Sequence, residues 1–199
     1  MTRDLFAPIA AAVLALSGAA GAAETRELGA HVHGSGSLDI AVEGNTVAMA
    51  LVVPGFDIVG FEHEATSDAD KAAIEDGKAK LGKPLELFVL PAAAGCEVAQ
   101  VQVALISEVD AHGHDEHGED AHGHDDHGHD AHGEESHTEF KTEYQLTCAD
   151  PSAISEITFA YFETFPNAEE LEIQLITAKG STGLEATRDA PVVSLADLI

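Results

Sequence analysis

The chain has 199 residues, a length that suits one domain of ordinary size. Its 36 acidic side chains outnumber the nine lysines and arginines, so the formal charge is −27. A chain this acidic repels the phosphates of nucleic acids and the anionic surface of a membrane, whereas its field attracts dissolved cations. Composition therefore argues against nucleic-acid binding and predicts divalent metal ions as partners.

The first 23 residues have the layout of a secretory signal peptide. A short polar start precedes an apolar stretch, Leu5–Leu16, and a run of small residues in which Ala20-Gly21-Ala22 fits the A-x-A cleavage pattern. A buried amino-terminal helix is the alternative, but Gly18 would weaken its last turns. No later segment reaches the roughly 18 consecutive apolar residues that span a bilayer. We therefore expect a single exported domain, residues 24–199, that is not inserted in a membrane.

Alternating apolar residues predict a β-hairpin near the start of this domain. Leu38, Ile40 and Val42 alternate with polar or small residues before Gly44-Asn45, and the alternation resumes from Val47 to Val53. Pro54-Gly55 should end the second strand.

A helix is predicted next. Ser67 is its expected cap, acidic residues occupy its first turn, and Gly82 and Pro84 should end it after Leu81.

Six strand candidates follow the helix, joined by connections without a regular alternation of helices. They are residues 85–90, 98–106, 140–146, 157–165, 171–176 and a last piece near Val192. This order favours antiparallel pairing. We predict an α+β fold made mainly of an antiparallel β-sheet or two-layer sandwich, with one main helix and a disordered His-rich loop.

That loop is an insertion, residues 108–138, between two of the strand candidates. Between Ser107 and Glu139 the chain carries nine histidines and twelve acidic residues, and the tetrapeptide Asp-Ala-His-Gly recurs at positions 110, 120 and 130. A segment this polar and rich in glycine cannot form a hydrophobic core. We therefore expect it to be disordered. Its histidines are His112, His114, His117, His122, His124, His127, His129, His132 and His137.

Imidazole is the commonest protein ligand for borderline divalent metals, and several of these histidines are spaced two residues apart. The pattern predicts zinc binding, although Cu²⁺ and Ni²⁺ accept the same ligands. A solvated acidic spacer or a pH sensor is the alternative interpretation. Because a flexible loop loses entropy on binding, we expect it to collect metal with moderate affinity.

Three histidines lie outside the insertion. His31 and His33 are at the entry of the first strand, where side chains two residues apart point to one face, and His63 follows the second strand. The returning strand should bring His63 toward His31, with Glu62 or Glu64 as a further ligand or orienting group. We hypothesise one framework zinc site; surface or capping histidines are the alternative.

The two cysteines, Cys96 and Cys148, are expected to form a disulfide in an oxidising compartment, with two separate buried thiols as the alternative. Pairing them in neighbouring strands would set Phe140, Tyr144 and Leu146 on the same face as Gln100 and Gln102, while Val101, Val103 and Leu105 faced the other way. A β-bulge would correct this parity, unless the strands are not neighbours.

Several short motifs resemble, in their order, the ZrgA family of periplasmic zinc-uptake proteins over about residues 28–195. They are His31-Val32-His33-Gly34, Pro54, Gly60-Phe61-Glu62-His63, the acidic His-rich insertion between two cysteines, and Phe165-Pro166. The resemblance implies a periplasmic protein that binds Zn(II) and assists its import, with an ABC-type importer or its binding protein as partner. It also implies that His31, His33 and His63 are framework positions and that His112–His137 belong to a variable loop.

The leading hypothesis is thus a non-enzymatic collector and carrier of Zn(II). A zinc-dependent hydrolase, with Glu62 or Glu64 as general base, is an alternative, although the chain has no H-E-x-x-H motif. A buffer for copper or nickel is another.

Overall fold

The computed structural model describes residues 32–107 and 137–199, which fall within one compact unit. The signal-peptide prediction, His31 and insertion residues 108–136 lie outside the described residues.

The predicted hairpin is confirmed as β1 (Ser35–Glu43) and β2 (Thr46–Pro54). Leu38 pairs with Leu51 and Ile40 with Met49, and all four side chains are buried. Gly44 makes the turn with a positive φ of 55°, which glycine adopts without steric cost. The alternation in the sequence therefore fixes which face of the hairpin meets the core.

Four more strands extend the hairpin into a six-stranded sheet. They are β4 (Cys96–Ser107), β5 (Thr138–Cys148), β7 (Glu170–Thr177) and β8 (Gly180–Thr187), and the spatial order is β4-β5-β2-β1-β7-β8. Every neighbouring pair is antiparallel except β1 and β7, which run parallel. The predicted fold class is confirmed, with one parallel pair whose long connection allows that direction.

A second, three-stranded antiparallel sheet is formed by β3 (Phe88–Val89), β6 (Glu156–Phe159) and β9 (Val192–Ser194), in the order β3-β6-β9. The buried residues of both sheets form one hydrophobic cluster. Phe88 connects the two sides, since its ring lies 5.9 Å from Tyr144 of the large sheet and 5.8 Å from Phe159 of the small one.

In the part of the chain that the structure describes, four α-helices complete the fold: α1 (Gly55–Val59), α2 (Asp68–Leu81), α3 (Pro84–Leu87) and α4 (Tyr161–Thr164). The predicted helix is confirmed as α2, and Ser67 caps it reciprocally with Asp70. Gly77 lies inside α2 because α1 packs closely there: an added Cβ would lie 2.8 Å from the side chain of Ile58. None of the described helices is long and apolar enough to cross a membrane.

Two strand predictions are partly wrong. Segment 85–90 is helical up to Leu87, and segment 157–165 leaves the strand after Phe159 to form α4. Both segments are short and rich in apolar residues, and their periodicity does not distinguish a short strand from a buried helical turn. Strand β8 was not predicted, because its Gly, Ser and Thr residues lack apolar alternation and only Ala186 is buried.

Cys96 and Cys148 form the expected disulfide at one end of the β4–β5 pair. The register shifts between Val98 and Gln100, which confirms the β-bulge and sets Val101 opposite Tyr144. At the other end Ser107 pairs with Thr138, so β5 begins at the last predicted residue of the insertion. The chain therefore enters and leaves the insertion at paired, neighbouring positions of β4 and β5.

Candidate metal centre

Three chain segments meet at one edge of the large sheet. Ser37 at the start of β1 pairs with Val52 near the end of β2, and Pro54 pairs with Glu139 at the start of β5. The residues that precede β1, follow β2 and precede β5 are thereby brought together. His33, Glu62 and His137 belong to these three segments.

Glu62 is the centre of this arrangement. Its Oε2 lies 3.2 Å from His33 Nε2 and 3.0 Å from His137 Nδ1. The Glu62 side chain is only 11% exposed, whereas the two rings are 53% and 38% exposed. We call these three residues the Glu62 cluster.

The electrostatics of Glu62 favour its ionised form. Burial acts to raise its pKa, but the hydrogen bonds from His137 and His33 outweigh burial and hold the pKa below its usual value. An ionised carboxylate only accepts hydrogen bonds, so both ring nitrogens carry hydrogen where they meet Oε2. A metal ion would have to replace these hydrogens.

The two separations measured at Glu62 are close to those between the ligands of a zinc ion. Ligands at 2.0–2.2 Å from a tetrahedral zinc ion lie about 3.3 to 3.6 Å from one another. The two separations at Glu62 are slightly shorter, as hydrogen bonds require. Across residues 32–107 and 137–199, no group of three or more His, Cys, Asp or Glu side chains is arranged to hold a metal ion as it stands.

His33 lies in a turn before β1 rather than within the strand. The turn closes with a 3.1 Å hydrogen bond from Ser35 N to Val32 O, and Gly34 has a positive φ of 88°. The His33 ring stacks on Phe56, with centroids 4.6 Å apart and planes inclined by 16°. The strand face that was expected to hold His31 and His33 side by side therefore begins only at Ser35.

His63 has other neighbours. Its Nε2 lies 3.6 Å from Asp70 Oδ2 in the first turn of α2, and its ring contacts Phe61 with centroids 4.6 Å apart. Glu64, beside it, is exposed. The contacts of Glu62 thus favour His137 over His63 as the partner of His33, and the predicted site of His31, His33 and His63 remains a prediction.

The base of the insertion adjoins these residues. A cavity of about 100 Å³ is lined by Phe61 and His63 on one side and by Leu105, Ser107 and Thr138 on the other. His137 is the one insertion histidine within the described residues; the other eight, from His112 to His132, lie outside them. The insertion therefore starts and ends next to the Glu62 cluster.

Asp57 is a buried residue of this region that the sequence did not single out. Its Oδ1 accepts a 2.7 Å hydrogen bond from Gly34 N, and the residue is 1% exposed. Burial raises its pKa from the usual 3.8 to about 6, against the opposing effects of the Gly34 hydrogen bond and of His33. An acidic residue soon after Pro-Gly resembles an ordinary first-turn residue of a helix, so only its burial distinguishes it.

Comparison with known proteins identifies the family. Residues 30–195 match the model of the ZrgA family of zinc uptake proteins. The chain therefore belongs to this family, as its motifs had indicated, and the family description supports a role in zinc uptake. No curated protein matches the chain.

Proposed function

We propose that this protein is a non-enzymatic zinc-binding protein of the periplasm that collects Zn(II) and assists its uptake. The observation that carries the proposal is the Glu62 cluster, in which one part-buried carboxylate contacts two imidazoles from distant parts of the chain. Zinc is the cargo of this protein rather than a cofactor for a reaction. Its family membership agrees with this role.

The framework site, in this proposal, consists of Glu62, His33 and His137, with His31 as a further ligand. His31 is included because it is only two residues from His33 along the chain. His63 forms the neighbouring rim, where its ring contacts Asp70 and lines the cavity at the base of the insertion. Because the Glu62 cluster is assembled before metal arrives, little side-chain entropy remains to be lost on binding.

The insertion acts as the collector. Eight histidines among many carboxylates provide several interchangeable sites. Since the composition of this segment predicts disorder, each of these sites should be weaker than the framework site, because ordering the chain costs entropy. Protons compete for the same nitrogens below a pH of about 6.5, so zinc loading should fall there. The signal peptide of residues 1–23 would export the chain, and an ABC-type importer or its binding protein would receive the metal.

A hydrolytic function has less support. A general base beside a zinc-bound water needs a carboxylate that is free to accept a proton. Glu62 instead accepts hydrogen bonds from two imidazoles, and its pKa is lowered, which makes it a weaker base. The ZrgA description names uptake and no enzyme class.

Zinc titration of the mature chain, followed by native mass spectrometry with chelator competition, tests the proposal. Glu62→Gln should weaken the tightest site by about tenfold or more, since the amide loses the charge that binds zinc and orients both rings. Glu64→Gln is the matched control, because it makes the same chemical change two residues away at an exposed position. It should shift the affinity by less than about threefold. Equal effects of the two variants, or none, would contradict the proposed site.

A further inference from the structure

Asp57 is a buried carboxylate that makes none of the contacts of the Glu62 cluster. It lies on α1, and its Oδ1 accepts the Gly34 N–H at 2.7 Å across 23 residues of chain. Its other oxygen, Oδ2, is buried and has no hydrogen-bond partner within the described part of the chain. Burying a carboxylate costs free energy, and the hydrogen bond from Gly34 N offsets part of that cost.

Gly34 is held from both sides. Its N–H donates to Asp57, while its carbonyl oxygen accepts 2.8 Å hydrogen bonds from Glu169 N and Glu170 N. Its φ of 88° is a conformation that other residues rarely adopt, and an added Cβ would lie 3.1 Å from the Glu169 side chain. The backbone directly after His33 is therefore fixed in position and direction.

The same turn of α1 also contacts the His33 ring. Phe56, the neighbour of Asp57, stacks on that ring, and its carbonyl oxygen accepts a 3.0 Å hydrogen bond from Asn167 Nδ2. One element thus fixes both the backbone and the ring plane of His33. The ring is left facing Glu62 Oε2.

We propose that Asp57 is a positioning residue of the zinc site: its hydrogen bond to Gly34 holds the backbone of His33 so that the ring meets Glu62 and the arriving ion. This inference rests on the proposed function. Hydrogen bonds that orient ligands from behind commonly change metal affinity by tenfold or more when removed. Here the orientation acts through the main chain of the ligand rather than through its ring.

The test compares two substitutions in the full mature chain, with Zn²⁺ as the probe and chelator competition as the measurement. Asp57→Ala removes the acceptor for Gly34 N–H, whereas Asp57→Asn keeps an oxygen there and removes the charge. We expect Asp57→Ala to weaken the tightest zinc site by about tenfold and Asp57→Asn to stay within about threefold of the parent. Val193→Ala, which removes buried apolar volume in β9, controls for general loss of stability and should leave zinc affinity unchanged.

Two results would overturn the inference. One is that Asp57→Ala binds zinc as tightly as the parent. The other is that both Asp57 variants lose zinc affinity equally, which would assign the effect to charge rather than to the hydrogen bond. If Asp57→Ala does not fold, the inference is tested instead by measuring hydrogen exchange of the Gly34 amide in the zinc-loaded parent. A strongly protected Gly34 amide supports the inference, and exchange at the rate of an unstructured peptide overturns it. A parent with no tight zinc site, or with one that Glu62→Gln leaves intact, would refute the proposed function itself.

Discussion

At the scale of single residues, the region around Glu62 carries a cost to stability. Asp57 is buried beside two other acidic side chains, Glu62 and Glu169, and its pKa rises to about 6. The native state therefore binds the proton of Asp57 more tightly than the unfolded chain does. This tighter proton binding stabilises the native state. The stabilisation is fully present below pH 3.8 and is lost as the pH rises through about 6, where the buried carboxyl must ionise.

Replacing Asp57 by Asn should consequently stabilise the metal-free protein at pH 8. The amide avoids the cost of burying a charge near His33, Glu62, Glu169 and Tyr161, and keeps an acceptor for Gly34 N–H. We expect the free energy of unfolding to rise by about 2 kcal/mol at pH 8 and the difference to shrink toward pH 4. Urea denaturation in the presence of a chelator measures both values.

The exposed Asp189→Asn serves as control and should change stability little at either pH. If Asp57→Asn were less stable than the parent at pH 8, the carboxylate would be a stabilising group and the assigned cost of its burial would be wrong.

At the scale of elements, the sequence predicted those whose periodicity or end signals are strong. The hairpin β1–β2 followed from alternation and the helix α2 from the Ser67 cap. Side-chain parity offered a bulge in β4 as one of two possibilities, and the structure has that bulge. The short elements α3 and α4 could not be told from strands, because four residues are too few to show a helical period. The parallel pairing of β1 with β7 depends on long-range packing that no local pattern encodes.

The proposed metal site at the Glu62 cluster was likewise predicted only in part. Glu62, His33 and His137 were each identified as candidate ligands from residue type and spacing. Their grouping was not, because it depends on β5 lying next to β2, which sets the start of β5 beside the end of β2. Asp57 gave no sequence signal at all, since its role depends on burial.

The boundary of the insertion can be tested at this scale. Deleting residues 108–136 and joining Ser107 to His137 by two glycines should leave the fold intact, because Ser107 and Thr138 are already paired. We expect a melting temperature within about 4 °C of the parent and fewer bound zinc ions, measured by thermal denaturation and native mass spectrometry.

Deleting residues 108–138 instead provides the comparison. This deletion also removes His137 and Thr138. Thr138 is 7% exposed, and its hydroxyl packs so closely against Gly55 that a Cβ at Gly55 would collide with it. This longer deletion should melt lower and lose the tight zinc site. Identical behaviour of the two deletions would contradict the placement of His137 in the Glu62 cluster.

At the scale of the whole molecule, the disulfide and the Glu62 cluster stand at opposite ends of β4 and β5. Cys96 pairs with Cys148 at one end, and Ser107 pairs with Thr138 at the other, about 35 Å away along an extended strand. The disulfide links the two strands that flank the insertion and makes no contact with the proposed metal ligands. Loss of the disulfide should therefore lower the free energy of unfolding without changing the zinc affinity.

The double substitution Cys96→Ser with Cys148→Ser tests this separation. The chain-entropy model predicts a loss of about 4 kcal/mol in the free energy of unfolding, which denaturant titration measures. In protein that remains folded, the affinity of the tightest zinc site should match that of the parent. Two titratable thiols in unfolded, unreduced parent protein would show that the bond does not form.

The central claim is that Glu62 gathers imidazoles from distant segments into one zinc site. Anomalous diffraction at the zinc edge from crystals of the mature protein, loaded with one equivalent of Zn²⁺, tests it most directly. We predict a zinc peak within about 2.2 Å of one Glu62 oxygen and of ring nitrogens from His33 and His137. A fully occupied zinc ion bound elsewhere, for example between His63 and Asp70, with Glu62 still hydrogen-bonded to both rings, would contradict the account.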